Sequence, residues 1–498
     1  MYDIFLLYTI FILKYKTYTN NGYRKGRNME TKNLWPTYTE SDLKKLNELS
    51  EEYKAFISRA KTERLCVSEA IKMAEARGYV DIKTLIKEGK KLNTGDKFYA
   101  QHMNKTMILG IIGKDSIENG TNILGAHIDS PRLDIKQNPL YESSEFVYLD
   151  THYYGGIKKY QWVTIPLALY GVVAKKDGTV IDIAVGDDEN DPVFSVTDLL
   201  VHLSSQQMTK KANVVIEGEA LDVLLGSKPL DAGDSDDKEA TKDRVKAGIL
   251  AILKEKYNFE EDDFLSAEIE VVPAGKARDL GFDRAMVIGY GHDDRICAYT
   301  SLAAILDSEA QDRTSLCILS DKEEIGSVGA TGMKSHFFED TFAEMMELCG
   351  EFSELKLRRA LKNSCALSSD VSAGFDPTYE SVFERKNTAY CGHGITFNKY
   401  TGSGGKYDSN DASAEFMAKI RQILDDAKVG FQTAELGKVD AGGGGTIAYI
   451  LANYGMNVID SGVAVLCMHS PWEIASKADI YEAYKCYKVF LKDMTVIG

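Results

Sequence analysis

The chain has 498 residues, of which 44% are hydrophobic and 27% charged, and its formal net charge is −16. A chain of this length exceeds one simple core, since domains hold roughly 150 residues, and we expect two domains, one of them discontinuous. The composition is typical of globular proteins and not of disordered or fibrous ones. The acidic balance argues against nucleic acid and anionic membranes as partners, because both attract clustered Lys and Arg.

The first 28 residues differ from the remainder. Residues 4–13 form an apolar run that is too short to span a bilayer. The run is also unlike a secretory signal, because Asp3 lies where positive charge is expected and no cleavage site of small residues follows. We therefore expect Met29 to be the true start and residues 1–28 to be a misassigned leader.

An amphipathic helix and a β-rich region are predicted next. Apolar residues recur at helical spacing from Leu43 to Ile57, and Thr39 or Ser41 is the expected cap. Between residues 134 and 284 the pattern changes to short alternating strands, including a hairpin turned by Asp177-Gly178. We interpret 134–284 as an inserted β-rich domain.

After Tyr290, apolar strands, glycine-rich turns and helices alternate to the C-terminus, with helices predicted at 296–306 and 447–454. Such alternation predicts βαβ units around a mainly parallel central sheet flanked by helices. The fold class is therefore α/β, with a catalytic domain formed by residues 29–133 and 285–498.

Eight cysteines are spread over the chain without a C-x-x-C pair, and most lie within apolar runs. This pattern is typical of reduced, buried thiols and predicts a cytoplasmic protein. It gives no indication of a thiolate metal ligand.

Five short groups of metal-binding residue types follow or lie beside apolar, strand-like runs. The groups are His127 with Asp129, Asp293-Asp294, Glu323-Glu324, Asp370, and His469. Strand ends are where open α/β sheets gather active sites. We therefore expect the five groups to meet in the folded chain.

Each group alone has an ordinary explanation. His127 can be a core histidine, two acids at a helix start are favourable dipole partners, and Glu323-Glu324 can be a solvated pair. Considered jointly, two histidines and three or four carboxylates are the mixed N and O donors expected for zinc, cobalt or manganese, and one bridging carboxylate can hold two ions. Asp129 would orient the ring of His127 instead of binding metal.

Six motifs in this order resemble the dinuclear metallo-aminopeptidases that include aspartyl aminopeptidase and vacuolar aminopeptidase I. They are GAHIDSPRLD at 125–134, GHDDR at 291–295, SDKEEIGSVGATG at 320–332, SSD at 368–370, GKVDAGGGGTIA at 437–448 and MHSPWE at 468–473. The resemblance extends over nearly the whole chain from Met29. It implies an aminopeptidase with two divalent metal ions per subunit, most readily zinc.

The resemblance also implies individual roles. Asp293 would bridge two metal ions, one held with His127 and Asp370 and the other with Glu324 and His469. Glu323 would be the general base that takes a proton from the attacking water.

Further roles implied by the resemblance lie outside the metal groups. His202, contributed by the inserted domain of a neighbouring subunit, would stabilise the oxyanion in a homo-oligomer, expected to be a tetrahedral dodecamer built from dimers. The alternative for His202 is an ordinary surface histidine. Substrate would be bound by two segments of the catalytic domain, with candidate residues Asp440, Gly442, Gly443, Lys406 and Tyr407. The glycine run lacks the lysine of a nucleotide-binding loop.

Two departures from the aspartyl branch bear on specificity. Asp370 is followed by Val-Ser-Ala-Gly-Phe-Asp without a histidine, and the MHS motif continues with Pro471-Trp472 in place of a basic residue. Both favour the aminopeptidase I branch and neutral or hydrophobic N-terminal residues. Three alternatives remain open at this point: an aspartyl- or glutamyl-specific aminopeptidase, a two-metal deacylase of N-acyl amino acids, and a non-catalytic assembly protein.

Overall fold

The structure is a computed structural model that describes residues 31–230 and 243–497. The predicted leader at 1–28 lies outside the described residues. The α-helices within those ranges are, in chain order, Glu40–Arg59 (α1), Glu63–Glu75 (α2), Ile82–Glu88 (α3), Arg244–Tyr257 (α4), His292–Leu306 (α5), Phe337–Leu348 (α6), Glu354–Asn363 (α7), Ala414–Ala427 (α8), Ala448–Ala452 (α9) and Lys477–Asp493 (α10).

The strands of the described residues form three sheets. In chain order they are Val80–Asp81 (β1), Lys97–His102 (β2), Thr106–Ile111 (β3), Asn122–His127 (β4), Arg132–Ser143 (β5), Phe146–Tyr154 (β6), Leu167–Ala174 (β7), Val180–Val185 (β8), Ser195–Val196 (β9), Val223–Gly226 (β10), Ala267–Pro273 (β11), Arg278–Leu280 (β12), Met286–Gly289 (β13), Ser315–Ser320 (β14), Cys365–Ser369 (β15), Ser372–Ala373 (β16), Ile395–Asn398 (β17), Phe431–Thr433 (β18), Asn457–Gly462 (β19), Ala464–Leu466 (β20) and Glu473–Ser476 (β21).

The opening helix α1 begins where the sequence predicts. Thr39 is its cap: its hydroxyl accepts from the backbone N–H of Asp42, whose carboxylate accepts in turn from the Thr39 N–H. This reciprocal capping box satisfies two amide groups that a helix start otherwise leaves unpaired. The apolar stripe from Leu46 to Ile57 is buried.

The largest sheet has nine strands in the order β1-β2-β3-β14-β4-β15-β19-β17-β18. Its central strands β14, β4, β15 and β19 are parallel, while β3 and β17 join antiparallel on either side. The predicted mainly parallel sheet is thus confirmed. Parallel strands run in one direction, so β4, β14 and β15 end at one edge of the sheet.

Helices cover both faces of this sheet. Along β14, Cys317 and Leu319 pack into a core that includes α1, α5, α8 and α10, whereas Leu316 and Ile318 pack into a second core with α6, α7 and α9. Successive side chains of a strand point to opposite faces, and here both faces are apolar. This is the pattern of a parallel sheet buried between two helical layers.

The second sheet is antiparallel throughout, with seven strands in the order β8-β7-β11-β5-β6-β10-β9. It encloses a third hydrophobic core in which Trp162 is fully buried. The predicted hairpin is confirmed as β7 and β8. A β-rich unit with its own core accordingly lies within the chain of the α/β fold.

The third sheet has five short strands in the order β12-β13-β21-β20-β16. Its strand β20 ends at Leu466, shortly before His469, and β21 begins at Glu473. Because β13 pairs with β21, the segment that leads into α5 lies beside the segment that carries His469.

Two smaller findings concern helices and thiols. The helix predicted at 447–454 is shorter than expected, since α9 covers only Ala448–Ala452.

All eight cysteines are free thiols, and five of them are buried. Within the described ranges, no helix is both long and apolar enough to cross a membrane.

Gly171 in β7 offers a test of the second sheet. Its φ is +151°, and a Cβ there would overlap the carbonyl oxygen of Glu268 on the paired strand β11. Because the backbone cannot yield without breaking the pairing, we expect Gly171→Ala to lower the free energy of unfolding by about 3 kcal/mol.

Gly178→Ala is the matched control for chemical denaturation. Gly178 lies in the adjoining hairpin turn with φ +88°, and no atom lies within 4 Å of the position that a Cβ would occupy. We expect it to cost about 1 kcal/mol, from backbone strain alone. Equal losses in the two variants would contradict the packing of β7 against β11.

Candidate metal centre

The five groups singled out from the sequence lie together. His127 ends β4, Glu323 and Glu324 form the turn after β14, and Asp370 follows β15 directly, so these three meet at the edge where the parallel strands end. Asp293 lies in the first turn of α5, and His469 follows β20.

One half of the cluster contains His127, Asp293 and Asp370. The Nε2 atom of His127 lies 3.3 Å from Oδ1 of Asp293 and 3.9 Å from Oδ1 of Asp370. All three offer a ligand atom within 4.8 Å of the others. The arrangement is that of a three-residue cation site.

The other half contains Asp293, Glu324 and His469. The Nε2 atom of His469 lies 3.1 Å from Oδ2 of Asp293 and 3.5 Å from Oε1 of Glu324. Asp293 thus presents one carboxylate oxygen to each histidine. We refer to the His127 half as the first subsite and to the His469 half as the second subsite.

The cluster concentrates negative charge away from water. Burial, together with the charge of Asp293, raises the pKa of Glu324 well above its usual value. Burial lowers the pKa of His127, but carboxylates led by Asp129 and Asp293 outweigh that effect and raise it well above the usual value. Burial also opposes ionisation of Asp293, yet hydrogen bonds from both histidines hold its pKa below the usual range. Bound cations would reduce the repulsion between these buried carboxylates.

The residues present fit two divalent cations. Each subsite offers one imidazole nitrogen and two carboxylates, a donor set suited to zinc, cobalt or manganese. The Oε1 atom of Glu324 is buried and has no hydrogen-bond partner among the described residues. An unsatisfied buried carboxylate oxygen that faces His469 is the position expected of a metal ligand.

Asp129 is wholly buried and organises the cluster without joining either subsite. Its two carboxylate oxygens accept hydrogen bonds from the backbone N–H groups of Glu323 and Glu324, at 3.1 and 3.2 Å. The Nδ1 atom of His127 lies 3.0 Å from the carbonyl oxygen of Asp129 and 3.3 Å from its carboxylate. The ring of His127 therefore faces both the main-chain carbonyl and the carboxylate of Asp129.

Glu323 lies beside the first subsite. Its Oε2 is 4.0 Å from Nε2 of His127, and its side chain remains 16% exposed. Burial, with the charges of Asp129 and Asp293, raises the pKa of Glu323 to about 7. A carboxyl group with a pKa near neutrality can both accept and return a proton.

Two supporting contacts were missed by sequence reasoning. Buried Glu473 accepts from the backbone N–H groups of His469 and Asp293, at 2.7 and 3.0 Å. The Nδ1 atom of His469 donates to the carbonyl oxygen of Gly156 at 2.8 Å, which leaves Nε2 to face the second subsite. Glu473 belongs to the MHSPWE motif and could have been considered, whereas no sequence signal indicated a glycine carbonyl.

His202 makes no hydrogen bond or ion pair with the metal ligands among the described residues of its own chain. It lies in a short exposed turn, Val201–Leu203, whose flanking side chains Val201 and Leu203 are 76% and 66% exposed. Among the described residues of the isolated chain, nothing joins it to the metal ligands.

The five candidate substrate residues lie on two loops that contact each other. The N–H of Gly402 donates to the carbonyl oxygen of Gly444 at 2.7 Å, and Lys406 lies over the Tyr400 ring and pairs with Asp411 at 3.0 Å. Among the described residues, Asp440, Gly442, Gly443, Lys406 and Tyr407 make no hydrogen bond or ion pair with the metal cluster.

Comparison with known proteins identifies the family. The model of the family described as aminopeptidase I zinc metalloprotease (M18) matches residues 56–491. A relative from Clostridium acetobutylicum, named probable M18 family aminopeptidase 1, is 59% identical over 464 residues, which cover 93% of this chain and 98% of the relative. An aspartyl aminopeptidase from Caenorhabditis elegans is 23% identical and covers 81% of this chain and 87% of that one.

A solved structure gives the same assignment. The M18 aminopeptidase of Thermotoga maritima superimposes with a TM-score of 0.88 at 42% identity, covering 94% of this chain and 100% of that chain. The α/β fold with its antiparallel second sheet is therefore the fold of that family. The chain belongs to the M18 family of aminopeptidase I zinc metalloproteases and is a metal-dependent aminopeptidase.

Proposed function

We propose that this enzyme removes neutral or hydrophobic residues from the N-termini of peptides with two metal ions bound at the two subsites. The observation that carries the proposal is the shared carboxylate of Asp293, which faces His127 with one oxygen and His469 with the other. Zinc is the preferred ion, because the family is one of zinc metalloproteases. The eight free cysteine thiols support a cytoplasmic location, because thiols stay reduced there.

The residues divide into ligands and a proton carrier. His127 and Asp370 would hold one ion, Glu324 and His469 the other, and Asp293 both. When bound, two such ions lower the pKa of water and polarise a peptide carbonyl.

Glu323 is the proton carrier. Its carboxylate takes a proton from the attacking water, and the remaining hydroxide adds to the peptide carbonyl carbon. The carboxyl then returns the proton to the departing amine nitrogen, so the C–N bond breaks and a free amino acid and a shortened peptide are released. Asp129 supports this role, because it fixes the backbone N–H of Glu323.

Glu323→Gln tests the assignment. The amide cannot accept the proton, so we expect kcat on a leucyl peptide to fall by at least about 1,000-fold, with two metal ions still bound by elemental analysis. Glu344→Gln, on the exposed side of α6, is the control and should behave as wild type. Retained turnover in E323Q would rule out Glu323 as the base.

The reaction class is tested in the same assay. An aminopeptidase needs the free α-amine, whereas a deacylase of N-acyl amino acids does not. We expect the wild type to cleave the leucyl peptide and to leave its N-acetylated form intact. Preference for the acetylated form would favour the deacylase.

We infer the preference for neutral or hydrophobic N-terminal residues from the segment after Asp370. Residues 371–375 carry no cationic side chain that could pair with an acidic substrate residue. We further propose that Asp440, Gly442, Gly443, Lys406 and Tyr407 line the substrate pocket, which the contact between their loops supports.

A panel of aminoacyl p-nitroanilides tests this preference. We expect kcat/KM for leucyl and alanyl substrates to exceed that for the aspartyl substrate by about 10-fold or more. The cationic residue proposed for the pocket, Lys406, already pairs with Asp411 at 3.0 Å, and burying an unpaired carboxylate is costly. Faster cleavage of the aspartyl substrate would contradict the preference.

His202 is proposed to complete the site of a neighbouring subunit and to stabilise the oxyanion. Its exposure, and that of the apolar side chains Val201 and Leu203 beside it, supports a position in a contact between subunits. A structure from S. cerevisiae, described as the mApe1 dodecamer, shares the fold with a TM-score of 0.70 at 20% identity. We propose a homo-oligomer of the same kind here.

Subunit mixing distinguishes a role in trans from one in cis. His202→Ala and Glu323→Gln should each be nearly inactive alone. When the two are co-expressed in equal amounts, about half of the dimers contain one copy of each variant. In a mixed dimer, one site combines an intact Glu323 with an intact His202 from the neighbouring subunit, and the other site lacks both. We therefore expect roughly a quarter of the wild-type activity. No recovery in verified mixed oligomers would contradict the role in trans.

A further inference from the structure

Strand β6 of the inserted region ends in a turn that touches the metal centre of its own chain. We define the Tyr-Gly-Gly turn as residues 154–156. The hydroxyl of Tyr154 donates to Oδ2 of Asp129 at 2.8 Å, and the carbonyl oxygen of Gly156 accepts from Nδ1 of His469 at 2.8 Å. The turn thus reaches two sides of the cluster.

The middle residue of the turn packs against a proposed ligand. A Cβ at Gly155 would lie 3.2 Å from Oε2 of Glu324 and 3.4 Å from its Cβ. Its φ of +73° is in the left-handed region, which favours glycine. A side chain at Gly155 would therefore make a tight contact with Glu324 and would require its carboxylate to shift by a few tenths of an ångström.

Tyr154 is itself held in place. The guanidinium of Arg132 lies 3.9 Å from the centre of its ring. Arg132 is buried and pairs with Glu63 at 3.2 Å and with Glu270 at 3.1 Å. These acids come from α2 and β11, so the ion cluster fixes the turn to both the α/β fold and the antiparallel sheet.

The contacts distinguish the two subsites. The turn touches Glu324 and His469 directly, and both belong to the second subsite. Through its contact with Asp129 it reaches indirectly the backbone of Glu323 and Glu324 as well as the ring of His127. Among the described residues, Asp370 makes no hydrogen bond or ion pair with the turn. The direct contacts of the turn with proposed ligands are therefore contacts with the second subsite.

We propose that the Tyr-Gly-Gly turn positions the second subsite and Glu323 within the same subunit, with Tyr154 as a positioning residue that acts through Asp129. The inserted region then supports catalysis in cis as well as through any contact between subunits. The proposal rests on the metal ligands assigned under the proposed function. Partners of this kind orient metal ligands, and their loss typically costs about 10- to 100-fold in metal affinity or activity.

Zinc titration of the metal-free protein against a competing chelator tests the selectivity. In Gly155→Ala the new methyl group would crowd Oε2 of Glu324 at 3.2 Å, so we expect the affinity for one of two zinc ions to fall by about 10- to 100-fold and the other to stay within about threefold. Gly178→Ala is the matched control, because it adds a methyl at positive φ in the same region with nothing within 4 Å. It should bind both ions as the wild type does.

Tyr154→Phe keeps the ring and removes only the hydroxyl. We expect kcat to fall by about 10-fold, since Glu323 loses its alignment, while KM stays within about twofold. Tyr148→Phe on the same strand, where the ring stacks on Tyr141, is the control and should leave both constants unchanged. Melting temperatures show whether each variant is folded, and if G155A is not, the kcat and KM of Y154F decide.

The outcomes distinguish a failure of the positioning role from a failure of the proposed ligand set. If the wild type takes up two zinc ions and G155A binds both equally well, the turn does not position the second subsite. A wild-type kcat in Y154F likewise overturns the role of Tyr154. If the wild type takes up fewer than two zinc ions, the proposed ligand set fails and the positioning role fails with it.

Discussion

A buried carboxylate shared by two histidines is the interaction on which the rest of the structure depends. Asp293 offers Oδ1 to His127 and Oδ2 to His469, and three further carboxylates close around the same point. Such a concentration of charge is unfavourable in a folded interior unless cations balance it. The surrounding fold supplies the rigidity that keeps these side chains together.

That rigidity comes from three independent structural units. The parallel strands β4, β14 and β15 bring His127, Glu323 and Asp370 to one edge of the large sheet. The short third sheet places His469 near the start of α5, where Glu473 accepts from the backbone of both His469 and Asp293. The inserted region adds Tyr154 and Gly156. Displacement of any one unit would move ligands of a shared centre.

Much of the metal centre could be predicted from sequence, because the signals lie in residues adjacent to each ligand. Each ligand follows or lies beside an apolar strand, and strand ends in parallel sheets converge, so residue type and spacing indicated the five groups. The capping residue Thr39 and the hairpin at Asp177-Gly178 were predictable for the same reason, because their chemistry is contained within a few positions.

The supporting contacts could not be predicted in this way. Gly156 lies 313 positions from His469 and contributes only a carbonyl oxygen, which every residue has. The hydrogen bond from Tyr154 to Asp129 forms only because the antiparallel sheet packs against the α/β fold in this position. The contact of the His127 ring with the main-chain carbonyl of Asp129, at 3.0 Å beside the carboxylate at 3.3 Å, likewise had no sequence signal. Contacts of this kind are properties of the tertiary structure.

Anomalous X-ray scattering at the zinc edge, from crystals grown with zinc, tests the shared carboxylate most directly. We expect two peaks in the anomalous map, one facing His127 and Asp370 and the other facing His469 and Glu324, with the carboxylate of Asp293 between them. A single peak, or zinc bound at other residues while this cluster stays without a peak, would contradict the dinuclear centre.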